Sequence, residues 1–398
     1  MTCNFVLGTV KRMAVAAGAS RGGNKVEERT YWLAWAQVKG VGPVLVRRLQ
    51  QYFGTLAEAW SANATQLQQV EGFGYQLAGT VVTARSQINP EQLLEQHTAK
   101  NPQFWTPADA DYPRLLLEIP SPPPVLYYRG QVQPQENHGI KPMVGIVGTR
   151  EPTEYGKRWT RKMSTALARH GFTVVSGMAA GIDTEAHGGC LQAGGRTWAI
   201  LGTGVDLIYP PRNRNLYEQI QPQGLVLSEY PAGTQPNRAH FPQRNRIIAG
   251  LCRAILVMEA PTKSGALITA YQANEFCRDV YVLPGRLDDE QSKGCLGLLS
   301  RGAHVILNEG HLLEMLGAIP ELDSVTQLPL FAQEPPQPVP QLEPELAKVL
   351  QALTSEATPF DSIVQQAGLE AGSVSSALLQ LELMGLASQL PGMRYRRC

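Results

Sequence analysis

The chain has 398 residues, more than one ordinary domain needs, and its 43% hydrophobic and 17% charged content is that of a globular protein with a sizeable core. No stretch approaches the ~20 apolar residues of a membrane-spanning helix, so no membrane span is expected. Lys plus Arg number 35 against 34 for Asp plus Glu, which excludes bulk charge as the source of any nucleic-acid affinity and leaves only the placement of charges.

The six cysteines, at positions 3, 190, 252, 277, 295 and 398, form no C-x-x-C pair. That speaks against a zinc site and a disulfide framework and fits a reducing, cytoplasmic compartment. Residues 1–28 read as a disordered tail or an over-extended start. Lys11, Arg12, Arg21 and Lys25 surround Met13 to Ala19, a run too short and weakly apolar for a signal-peptide core.

Residues 29–100 predict a helical module, with helices over Tyr31 to Val38, Pro43 to Phe53, Thr55 to Ser61 and again after Gly74. Two turns punctuate it, V-K-G-V-G-P at Val38 to Pro43 and V-E-G-F-G at Val70 to Gly74. Both match the apolar-x-Gly-apolar-Gly turn of a helix-hairpin-helix, which aims backbone N–H groups at a phosphate. The alternative is a protein-interaction module that uses the same turns for packing, since few Lys or Arg flank them.

A proline-rich connector from Asn101 to Gly130 leads into the second domain, 101–325. Between Val144 and Leu307, apolar runs (V-G-I-V-G, F-T-V-V-S-G, T-W-A-I-L-G, G-L-V-L-S-E, A-I-L-V-M-E, V-Y-V-L-P-G) alternate with helical patterns. Near-continuous apolar strands separated by helices predict a Rossmann-like, doubly wound and mainly parallel α/β sheet. Residues 326–341 carry five prolines and read as a linker. Residues 342–398 predict helices at Glu343 to Leu353, Asp361 to Ala367 and Ser373 to Met384, then two strands around Pro391 and Gly392, a winged-helix pattern.

Ligands of open α/β sheets bind at the C-terminal strand edge, so candidate contacts come from the strand ends. The first strand ends in Gly148, Thr149 and Arg150, and residues 141–170 hold seven basic and two acidic residues, a phosphate-facing excess in an otherwise neutral chain. A merely solvated face is the alternative for Lys157 and Arg169. Ser176 and Gly177 offer a hydroxyl and a bare amide to an anion, and Gly181 permits the turn that follows. Asp183 is placed to cap a helix, with His187 four residues on; a metal or acid–base role would use that pair, but no third ligand has matching spacing. G-T-G at 202–204 does not continue as G-x-G-x-x-G, which weakens a nicotinamide-dinucleotide reading.

The stretch Ser228 to Leu251 brings Arg238, His240, Phe241, Arg244, Asn245 and Arg246 together, cations and an aromatic ring of the kind that pairs with phosphate while stacking an unpaired base. The alternative places Phe241 in the core and Arg246 in an internal ion pair with Glu229. Lys263, Ser264 and Gly265 open a helix at another strand end without the G-x-x-x-x-G-K-[ST] of a P-loop, and Pro284, Gly285 and Arg286 end the next strand.

In order and spacing, V-G-I-V-G-T-R, S-G-M-A-A-G-I-D-T-E-A-H, L-G-T-G-V-D-x-x-Y-P, S-E-Y-P-x-G, F-P-Q-R-N-R-I-I-A-G-L, S-G-A-L-I-T-A and P-G-R resemble the DNA-processing protein A (DprA/Smf) family over Tyr112 to Gly302. The resemblance implies a protein that binds single-stranded DNA, loads the RecA recombinase in natural transformation, forms homodimers through the Rossmann-like domain, and uses neither cofactor nor catalysis. It places Arg150, Ser176, Gly177, Phe241, Arg244, Arg246 and Lys263 on the family's DNA-binding motifs. Gly294-Cys295-Leu296 departs from the family's usual G-C-N, so a side-chain amide is missing there. The recognition helix of the winged-helix segment has no Lys or Arg, and residues 341–386 hold six acidic residues and one lysine; protein contact suits it better than groove reading, with Arg394, Arg396 and Arg397 left for weak phosphate contact. The competing enzyme reading is a Rossmann-like nucleotide phosphoribohydrolase, whose P-G-G-x-G-T-x-x-E turn is S-G-A-L-I-T-A here, without the carboxylate.

Overall fold

The computed structural model describes residues 24–317, 343–354, 357–390 and 392–397, in two compact units, residues 1–324 and 325–398. The expected linker, 326–341, lies outside the described residues.

The first unit opens with α1 (Asn24–Ala36), α2 (Pro43–Phe53), α3 (Leu56–Ser61), α4 (Ala64–Leu67), α5 (Tyr75–Gln87) and α6 (Pro90–Lys100). Residues 24–28, assigned to the tail on sequence grounds, already belong to α1, and Glu28 accepts a hydrogen bond from the Leu56 amide at 2.9 Å. Both glycine turns form. Gly40 and Gly72 take φ of 87° and 93°, where a side chain is strained, and Gly42 and Gly74 sit at the starts of α2 and α5. A Cβ on Gly40 would stand 3.1 Å from the Leu77 side chain, and one on Gly72 2.9 Å from that of Leu45. Each hairpin therefore packs on the second helix of the other, over a shared core that includes Trp35, Leu49 and Val81.

Strands β1 (Phe104–Trp105), β2 (Leu126–Gly130), β3 (Met143–Val147), β4 (Thr173–Ser176), β5 (Thr197–Leu201), β6 (Leu225–Ser228), β7 (Ala254–Val257), β8 (Asp279–Val282) and β9 (His304–Val305) form one sheet in the order β1-β2-β6-β5-β4-β3-β7-β8-β9. Strands β3 to β9 are parallel; β1 and β2 add an antiparallel edge. The connections between strands contain α7 (Pro134–Asn137), α8 (Glu154–Arg169), α9 (Ile182–Gln192), α10 (Arg214–Ile220), α11 (His240–Leu251), α12 (Gly265–Glu275) and α13 (Lys293–Leu299), and α14 (Glu309–Gly317) follows β9.

The strands read as unbroken apolar runs because both faces are covered. Met143, Val147, Ile255 and Val257 face a core shared with Ile248 and Leu267, whereas Val144, Ile146, Ala254 and Leu256 face Met163, Leu167 and Ile182. After β3 the chain winds outward through β4 and β5 to β6, then returns to place β7 on the other side of β3. The strand order reverses between β3 and β7, and their two C-terminal loops diverge there.

The second unit is a winged helix: α15 (Pro344–Gln351), α16 (Phe360–Ala367) and α17 (Ala371–Leu383), with β10 (Thr358–Pro359), β11 (Ala387–Leu390) and β12 (Arg394–Arg397) in a three-stranded antiparallel sheet. The sequence reading found β11 and β12 but not β10, two residues that pair only through distant Arg394 and Tyr395. Among the described residues no helix is long and apolar enough to cross a membrane.

Candidate nucleic-acid interface

A cavity of about 640 Å³ opens at the β3/β7 reversal. Gly148, Thr149 and Arg150 line it from the β3 loop, Pro261, Ser264, Gly265 and Ala266 from the β7 loop and the start of α12, and Arg238, Phe241, Arg244, Asn245 and Ile248 from α11 and its approach. Most of the residues expected to meet do so. Arg150 places its guanidinium carbon 5.7 Å from the centre of the Phe241 ring, and Tyr209 approaches that ring at 5.5 Å. Phe241 is half-buried against Gly202, where a Cβ would come within 2.9 Å of the ring, so a bare backbone seats this aromatic.

Neither Arg150 nor Arg238 has a carboxylate within 4 Å among the described residues. Both are exposed. Two cations without counter-charges, beside a half-buried ring, form a surface suited to an anion that carries a flat base.

Several expected contacts are spent inside the protein. The Ser176 hydroxyl is fully buried and donates to the Ile146 carbonyl at 2.6 Å; the Gly177 amide donates to Asp183 at 3.1 Å. The anion cradle expected at these two residues is therefore absent. Thr149 likewise gives its amide to the Glu259 carbonyl at 2.7 Å. Arg246 pairs with Glu229 at 2.6 Å, which is the internal ion pair held as the alternative.

Arg244 lines the cavity but is almost wholly buried. It is 4% exposed and donates to the carbonyls of Gly177, at 2.7 Å, and Ile200. Burial lowers its pKa to about 10, so it remains charged at neutral pH. Gly177 is required at this place, because a Cβ would fall 2.2 Å from the guanidinium.

His240 stacks on Tyr230 at 4.0 Å and contacts the Gly202 carbonyl through Nδ1 at 3.2 Å; it is not part of the cavity wall. Lys263 is exposed and also stands outside the wall. Ser264 caps α12 by accepting from the Ala266 amide, and Asn245 donates to the Gly265 carbonyl at 3.2 Å, tying α11 to the β7 loop.

Asp183 does not occupy the cap position of α9, which Gly181 fills; from inside the helix it accepts from the Gly177 and Ala179 amides. Burial raises its pKa, opposed by Arg244. His187 contacts Thr197 through Nδ1 at 2.7 Å, and since the Thr197 hydroxyl already donates to the Val174 carbonyl, the imidazole is the donor. Burial pushes its pKa down to about 3. Asp183 and His187 thus serve separate partners, and the described residues contain no cluster of three or more side chains able to hold a metal ion.

Glu259, at the end of β7, went unread in the sequence. It is 2% exposed and accepts from the Thr153 amide at 2.8 Å and the Thr153 hydroxyl at 2.5 Å, at the N-terminus of α8. A Cβ on Gly156 would come within 2.3 Å of its carboxylate. A glycine in a helix's first turn was the available signal. Cys295 and Leu296, at the departure from G-C-N, are buried and half-buried, so they belong to the α13 packing and not to the cavity wall.

A family model for DNA recombination-mediator protein A matches residues 103–317, and one for the DprA winged helix domain matches residues 333–393. The chain belongs to the DNA recombination-mediator protein A (DprA/Smf) family. Among DprA/Smf relatives, Protein Smf of Synechocystis sp. is 56% identical over 93% of this chain and 99% of its own length. Protein Smf of Escherichia coli is 36% identical over 73% of this chain and 77% of its own. The X-ray structure of DprA from Streptococcus pneumoniae superimposes with a TM-score of 0.63 at 33% identity, covering 72% of this chain and 97% of that one. DprA membership makes this a DNA-processing protein of recombination.

Proposed function

We propose that the protein captures single-stranded DNA in the cavity at the β3/β7 reversal, hands the strand to the RecA recombinase, and acts as a homodimer. The observation that carries the reading is the pairing of two exposed guanidinium groups lacking counter-charges, Arg150 and Arg238, with the half-buried ring of Phe241. Phosphate binds to the cations irrespective of sequence, and an unstacked base finds a π-surface that a duplex base pair could not reach. Gly148, Thr149, Arg244, Asn245, Ser264 and Gly265 shape the wall, with Arg244 anchored on the Gly177 carbonyl, whereas Ser176 and Arg246 make internal contacts. The winged helix is proposed as a protein-contact module, because the exposed side of α17 offers Leu379 and Leu383, 60% and 81% exposed, and no cation.

The experiment is fluorescence anisotropy of labelled oligothymidine against salt for the parent chain, Arg150→Ala and Arg238→Ala. Each substitution is expected to weaken binding and to reduce the slope of log K against log salt by about 0.7, the value for one phosphate contact on a single strand. Unchanged affinity and slope in both would remove the cavity as the binding site. RecA filament formation on strands coated with a single-strand-binding protein, with and without this chain, tests the handover.

A further inference from the structure

The loop that carries Arg150 is pinned at both ends by one residue. At its start the Thr149 amide donates to the Glu259 carbonyl at 2.7 Å; at its end the Thr153 amide and hydroxyl donate to the Glu259 carboxylate at 2.8 Å and 2.5 Å. The other side of the loop is held by α9, whose Ile182 amide donates to the Thr149 carbonyl at 3.1 Å. Two glycines allow this close fit. A Cβ on Gly148 would stand 2.8 Å from the Glu259 carbonyl oxygen, and one on Gly181 2.6 Å from that of Arg150.

Arg150 has no carboxylate within 4 Å among the described residues to orient its guanidinium. Its approach to the Phe241 ring therefore depends on the backbone path of residues 149–153. Glu259 is 2% exposed, and no Lys, Arg or His lies within 4 Å of its carboxylate among the described residues. Burial raises its pKa, Asp289 adds to the rise, and donors of Thr153 and Gly156 at the start of α8 oppose it. A buried carboxylate without a cation is destabilising in itself. What the charge adds is a pair of strong acceptors fixed on one loop.

Resting on the reading of the β3/β7 cavity as the single-strand site, we infer that Glu259 is a positioning residue of that site, setting the 149–153 loop and through it the aim of Arg150, without touching DNA. Coulomb's law alone gives the opposite expectation, since deleting a carboxylate near a cationic surface should raise affinity for a polyanion.

The test is oligothymidine dodecamer affinity of the full chain carrying Glu259→Gln or Thr153→Val, each alone and combined with Arg150→Ala or Arg238→Ala. Gln keeps an acceptor for the Thr153 amide but turns donors toward the Thr153 hydroxyl; Val removes that hydroxyl and leaves the carboxylate intact. Each is expected to weaken binding about fivefold and to lower its salt slope although no cation is lost, against about tenfold for Arg150→Ala. Combined with Arg150→Ala, either adds nothing; combined with Arg238→Ala, either still weakens binding about fivefold. Thr153→Ser, which keeps both donors, recovers the loss seen in Thr153→Val. Affinities are read at a temperature where melting curves show each variant folded, and Thr153→Val carries the test if Glu259→Gln does not fold.

Affinity unchanged or raised in Glu259→Gln and Thr153→Val, while Arg150→Ala loses binding, would overturn the positioning role and leave the cavity standing. Equal weakening with and without Arg150 would also overturn it, because the effect would then be a general loosening of the fold. Binding untouched by Arg150→Ala would overturn the cavity reading and this inference with it.

Discussion

Replacing Arg244 with alanine should damage the fold before it damages any contact with DNA. The guanidinium is 4% exposed, donates to the Gly177 and Ile200 carbonyls, and is the cation acting on the buried carboxylate of Asp183. Two hydrogen bonds from a charged donor contribute about 1.5 kcal/mol each, which gives about 3 kcal/mol. Leaving a buried carboxylate without its cation moves the total toward the ~5 kcal/mol upper end for one-sided removal of a buried charge partner. At roughly 2 °C per kcal/mol for a unit of this size, the first unit should melt about 6 °C or more below the parent in calorimetry at pH 7. The deficit should shrink near pH 4. Asp183 has a raised pKa in the folded state, so its penalty is absent below its unfolded value of 3.8 and grows as pH rises through the folded value. Adding Asp183→Asn should recover part of the loss at pH 7. A melting point for Arg244→Ala within a degree of the parent would refute this account and return Arg244 to the list of direct DNA contacts.

Three further outcomes follow from the same geometry. Gly156→Ala places a methyl group within 2.3 Å of the Glu259 carboxylate and should cost about 1–3 kcal/mol, read as a lowered urea midpoint with unchanged m-value. His187, with its pKa held at about 3 by burial, lowers stability by about 1.4 kcal/mol for each pH unit between roughly 6.5 and 3, because the unfolded chain binds the proton that the fold excludes. His187→Gln should therefore flatten the melting temperature between pH 6.5 and pH 5 relative to the parent, and parallel curves would contradict the assignment. Phe241→Ala should weaken oligothymidine by about 1–3 kcal/mol while leaving the salt slope unaltered, since a stacking surface and not a charge is lost.

The α/β class was legible because a sheet covered on both faces needs strands apolar at every position, and V-G-I-V-G or A-I-L-V-M-E has no other use in a chain of this charge. The strand ends then named Gly148, Arg150, Phe241, Asn245 and Ser264 as neighbours although up to 116 residues separate them. What composition does not encode is the direction in which a polar group points. Ser176, Gly177 and Thr149 stand at strand ends as expected, yet their donors meet Ile146, Asp183 and Glu259, a matter of loop path that motif spacing leaves open. Arg244 and Arg246 lie within two turns of α11 with Phe241, and only the packing of that helix turns both arginines inward. Asp183 read as a cap because carboxylates favour first turns, whereas the positive φ of Gly181 shifts the start of α9 by two residues.

The carboxylate of Glu259 occupies the N-terminus of the helix that follows the central strand, the berth where Rossmann-type enzymes seat a cofactor's pyrophosphate. The protein has filled that berth with an anion of its own. A nicotinamide or flavin dinucleotide would have to displace a side chain wedged against Gly156 before its pyrophosphate could reach that helix start.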